Sequence, residues 1–123
     1  MTRSLSHLAC AVALAATSLL PVQSALADEE GTGGRAVSLT INTQGSDKYA
    51  SFHGSLGVRS TSGRRDVYFW GGSTCPAQKL AASEVALLAG ALNNRKTTIK
   101  PVYRTGEGAR GARCLVAFEL QAS

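Results

Sequence analysis

Two of the three cysteines set the strongest limit on how this chain can fold. Cys75 and Cys114 lie in its polar remainder, whereas Cys10 sits in an apolar N-terminal stretch with the parts of a secretory signal. Arg3 stands without an acid among the first residues, residues 8–20 are uncharged, and beyond Pro21 come Ala25, Leu26 and Ala27, with small residues where a signal peptidase reads. The uncharged run is shorter than the roughly 20 residues a bilayer span needs. Cys10 precedes most of it, the wrong side for a lipid-modified cysteine. The expectation is a signal peptide over residues 1–27, cut after Ala27, on a bacterial-type protein exported to the periplasm or the medium. Cys10 leaves with the signal. An even pair in an oxidising compartment is most simply a Cys75–Cys114 disulfide. A free, reactive thiol is the alternative. The bridge closes a loop of about 40 residues and stabilises by about 4 kcal/mol in the chain-entropy model. Small domains often need such a staple.

The rest reads as one β-rich domain. Residues 28–35, acidic and glycine-rich, read as a flexible leader, and residues 36–123 as the single disulfide-closed domain. Val37, Leu39 and Ile41 alternate with polar residues, the pattern of a half-buried strand. Phe52, Leu56 and Val58 mark a second strand, and residues 65–70 a third beyond a Ser-Gly turn. Pairing Val58 with Val67 and Leu56 with Phe69 gives that hairpin one apolar face. The same register sets Arg59 against Asp66, Gly57 against Tyr68 and Ser55 against Trp70 on the other. Ser83 can cap a helix over residues 84–93, with Val85, Leu88 and Leu92 on its apolar stripe. Asn93 and Asn94 read as a left-handed stop. Residues 97–104 form a fourth strand, with Pro101 arguing for an edge or a bulge. Residues 113–121 form the fifth. Pairing Ile99 with Phe118 and Tyr103 with Cys114 leaves Val102, Leu115 and Ala117 on a second apolar face, an expected oligomer interface.

The expected class is therefore α+β, mainly β: a small five-stranded OB-like barrel or curled antiparallel sheet, with one helix between strands 3 and 4. Residues 83–92 leading into residues 98–102, a helix followed by a strand, resemble the B subunits of bacterial AB5 toxins, the pertussis-like ones in particular. That resemblance is one of element order and covers much of the chain. It implies an OB fold, a homo-oligomer and a glycan ligand, and no sugar-contact residue is carried over from it.

The catalytic inventory is thin. His53 is the only histidine past the signal, and neither a metal motif nor a cofactor motif is present. The glycine loop around Glu107 and Arg110 lacks the ending of a phosphate-binding loop. Thirteen basic residues against eight acidic ones give a net charge of +5. They are scattered in sequence, which argues against a nucleic-acid partner. Tyr68 and Trp70 with Arg59 and His53 form the candidate ligand or partner face, since rings beside polar groups suit sugars or a protein hot spot. The alternative puts Tyr68 and Trp70 in the core. The function expected is an exported, non-catalytic binding module, such as a toxin-like glycan-binding subunit. The alternatives are a periplasmic protein-binding or inhibitory partner and a small secreted hydrolase using His53.

Overall fold

A computed structural model describes residues 27–105 and 111–122. The apolar stretch behind the export expectation and residues 106–110 of the glycine loop lie outside the described residues. The elements are β1 (Glu29–Glu30), β2 (Arg35–Ile41), β3 (Gly54–Arg59), β4 (Arg65–Trp70), α1 (Ala82–Leu92), β5 (Thr97–Arg104) and β6 (Cys114–Ala122). The strands make one open, mixed six-stranded sheet in the order β1-β5-β6-β4-β3-β2. Among the described residues no helix is long and apolar enough to cross a membrane.

The sixth strand comes from the segment expected to be a flexible leader. Glu29 and Glu30 pair with Tyr103 and Val102 of β5. Beyond them the Gly31 amide donates to the Pro101 carbonyl at 2.8 Å, and Gly34 and Ile99 exchange two backbone bonds of 3.0 and 2.7 Å. At Arg35 the chain leaves β5 and becomes β2 on β3. The glycines here serve close approach: a Cβ on Gly34 would lie 2.1 Å from the Arg59 carbonyl oxygen. Pro101 fits this scheme. Its carbonyl faces the leader, and in an antiparallel strand its nitrogen faces the same way. The missing N–H therefore costs no bond to β6.

The β3–β4 hairpin forms one residue out of the expected register. Leu56 pairs with Tyr68, Val58 with Asp66, Gly54 with Trp70 and Arg59 with Arg65. Tyr68 and Trp70 therefore join Leu56 and Val58 inside, at 1 % and 3 % exposure, while Val67 and Phe69 turn outward and stay half-buried. Two physical terms select this register. Burying each large ring is worth about 2–3 kcal/mol, against about 0–1 kcal/mol for the exposed Arg59–Asp66 ion pair it forgoes. The turn agrees: the Gly63 amide bonds the Ser60 carbonyl at 2.9 Å, and Gly63 takes φ +91°. This is a short loop that closes through a left-handed residue.

Helix α1 starts earlier than Ser83 would place it. Its N-terminus is capped from inside, Glu84 accepting the Ala81 amide at 2.6 Å. It ends at Asn93 in right-handed rather than left-handed geometry. Leu88 and Ala91 are buried while Leu87 stays exposed.

The β5–β6 pairing overturns the expected second apolar face. Ile99 pairs with Leu120 and Pro101 with Phe118, but a shift between Val102 and Tyr103 sets Val102 against Ala117 and Tyr103 against Leu115. Val116 is the extra residue of this bulge, and it puts Leu115 on the same face as Phe118 and Leu120, where plain alternation would oppose them. Leu115 turns inward and is wholly buried. Val102 is half-buried and Ala117 exposed, so the three do not share an outward patch. Cys114 pairs in parallel with Phe69, and its disulfide to Cys75 clamps the turn after β4 onto the neighbouring strand.

Candidate functional site

The four residues expected to make a ligand face are not brought together. Tyr68 and Trp70 are core. His53 precedes β3 and is half-buried, stacked on Tyr49 with centroids 4.1 Å apart. Its amide donates to the Trp70 carbonyl at 2.8 Å. Gly71 passes so close that a Cβ there would meet the imidazole at 2.3 Å. Arg59 stands at the far end of β3, about 20 Å along the strand from His53. Asp66, expected to pair with Arg59, is held by Arg64 at 3.1 Å and Arg113 at 3.2 Å. Arg113 also lies 5.5 Å over the Tyr103 ring. This group closes one end of the sheet over Tyr68. Burial first, and the Asp66 carboxylate second, push the Tyr68 phenol above its ordinary pKa.

A different group assembles on the outward surface. Arg35 of β2 lies directly opposite Arg59 of β3, and Arg59 lies directly opposite Arg65 of β4. All three are exposed, on strands about 4.8 Å apart. Like charges placed so oppose folding by some tenths of a kcal/mol per pair. Arg65 lies across Gly57, where the absent Cβ leaves room for its guanidinium, and donates to the neutral Ser38 hydroxyl at 2.7 Å. Arg95, in the turn between α1 and β5, faces the row from the other side. Arg35, Arg59 and Arg95 line a cleft of about 350 Å³ together with Gly34, Val37, Ser60, Thr61 and Thr98. No carboxylate lines it, and among the described residues the ion pairs join Arg64, Arg104 and Arg113 to acids but none of these arginines.

The groups that line this cleft suit an anion. A guanidinium offers a planar fork of donors that matches carboxylate, sulfate or phosphate oxygens and stays charged at any working pH. The hydroxyls of Ser60, Thr61 and Thr98 both donate and accept, and exposed Val37 adds an apolar wall. The sequence hides this group because its members are spread from Arg35 to Arg95. Its one signal is positional: Arg35, Arg59 and Arg65 all sit at strand ends, on the side of the 60–64 turn. No family model, curated protein or solved structure matches the chain.

Proposed function

We propose that the chain is an exported, non-catalytic binding module whose ligand, a glycan, seats in the arginine-lined cleft. The observation that carries the reading is the row of directly opposed, exposed arginines beside an open cleft with no acid in its lining. A charged arrangement that opposes folding and has no acid paired to it among the described residues is explained by an external anion. The cleft's hydroxyls and its single valine wall suit the mixed polar and apolar surface of a sugar. The disulfide between Cys75 and Cys114 agrees with export.

The finer fold reading supports a binding role. If the run from Glu29 to Ile41 is counted as one strand that touches β5 first and β3 second, five strands remain. The helix then falls between the third and fourth of them, and the third and fifth pair in parallel. That order is the one of an OB-like fold, here with the sheet open and not closed into a barrel, a scaffold that presents ligands on its strands and loops. Fold alone does not name the ligand; the reading rests on the cleft. A toxin-like B subunit is the narrower form of the same reading.

The experiment is a glycan-array screen of the exported protein beside an Arg35→Gln/Arg59→Gln/Arg95→Gln variant with an unchanged circular-dichroism spectrum. Binding by the wild type and its loss in the variant is the expected result. Glycan binding that the three substitutions leave intact moves the site elsewhere and overturns the reading.

A further inference from the structure

From the crowding of the arginines we infer that the ligand is an acidic polysaccharide, sulfated or carboxylated on successive rings, lying across β2, β3 and β4. This deepens the proposed binding reading and rests on it. Arg35, Arg59 and Arg65 occupy facing positions on consecutive strands, whose backbones lie about 4.8 Å apart, and the Arg65 guanidinium reaches back over Gly57 to Ser38 of β2, so three cations crowd one end of the outer face. A single small anion engages one or two guanidiniums and leaves the rest opposed. A pyranose chain with an acidic group on each ring carries several anions along its length and neutralises the whole group in one pose. Thr61 and Thr98 stand within the same cleft as Arg35, Arg59 and Arg95. They offer bonds to ring hydroxyls, and Val37 offers a contact for the C–H face of a ring.

Nucleic acid carries regular charge too, but single strands are held by bases stacked on exposed aromatic rings. Here the two large rings of the hairpin, Tyr68 and Trp70, point into the core. Phe69, on the outer face, packs edge-on against Phe52. The cleft presents Val37 and no ring.

The test is titration of the exported protein with size-fractionated heparin, alginate, neutral dextran and a single-stranded oligonucleotide, each over a range of salt. Heparin and alginate bind, dextran does not, and affinity falls as salt rises. Arg59→Gln and Arg65→Gln each lower heparin affinity by about tenfold. Each also reduces the slope of log affinity against log salt by about one. Lys48→Gln, beyond the other end of β3, leaves both unchanged. Dextran binding that needs Arg59 overturns the acidic ligand and leaves the binding module standing. An oligonucleotide bound more tightly than heparin makes the partner a nucleic acid and overturns the inference. Failure of all four probes and of the glycan array removes the binding reading itself.

Discussion

Replacing Gly54 by alanine reads out the hairpin register through the sign of its effect. Gly54 faces Trp70 across the β3–β4 ladder, and a Cβ there would lie 2.2 and 2.6 Å from two indole carbons and 2.7 Å from the Thr40 carbonyl oxygen. Unstrained carbon contacts sit at about 3.5–4.0 Å, so the ring must retreat by more than an ångström. Trp70 is 3 % exposed, and a packed core has nowhere to put that displacement without moving other side chains. Overpacking of this kind costs about 1–3 kcal/mol, and the backbone carbonyl on the other side argues for the upper end. At about 4–8 °C per kcal/mol for a domain of this size, the midpoint falls by about 10–20 °C. In the slipped register, with Trp70 opposite Ser55, the same alanine meets no ring. It then gains about 0.5–1 kcal/mol by removing glycine from a strand. Trp70 is the single tryptophan, so its fluorescence follows urea unfolding of the disulfide-intact protein directly. An alanine variant as stable as the wild type, or more so, would refute the inward Trp70 and every placement that depends on it, the arginine row included.

The remaining tests concern the core and the staple. Reduction, or Cys75→Ser with Cys114→Ser, should lower unfolding free energy by about 4 kcal/mol for a loop closed over 39 positions, measured by urea melts with and without reductant. Leu115→Glu places a charge at a wholly buried site, so the expected outcome is loss of the folded state in circular dichroism. A folded monomer obtained from a wild-type oligomer would contradict the inward placement. Because burial raises the Tyr68 pKa above the ordinary tyrosine value of 10.0, the folded state keeps a proton there that the unfolded chain has lost. Stability is complete below the unfolded value and declines as pH rises through it toward the folded one. Urea midpoints between pH 9 and about 11 should fall in the wild type and fall less in Tyr68→Phe.

What the residues alone disclosed follows a physical divide. The disulfide, the principal strands and the helix rest on local signals: alternation, turn residues, the apolar stripe through Val85, Leu88 and Leu92. Register rests on competition between distant terms, and there the visible local gain misled. Pairing Arg59 with Asp66 looks favourable on paper, but an exposed ion pair is weaker than the burial of Tyr68 and Trp70. One residue of slip exchanges the two faces of β4 against β3. The same slip turns an expected ion pair at Arg59 into the like-charge row, which is why the candidate site was illegible. The bulge at Val116 has no marker in composition, yet it decides that Leu115 is core and not interface. The glycines of the leader read as flexibility, because sequence does not show which backbone passes beside them. Gly31 and Gly34 instead admit close contact with Tyr68 and Arg59.

The most direct test of the cleft as the binding site is to watch the arginine side chains themselves. In a titration of the labelled protein with a heparin-derived oligosaccharide, the Nε–Hε resonances of Arg35, Arg59, Arg65 and Arg95 should shift together and saturate at one ligand concentration. Those of Arg64 and Arg113, engaged with Asp66, should stay in place. Saturable shifts confined to Arg64 and Arg113, or spread evenly over every arginine without saturation, would contradict the account.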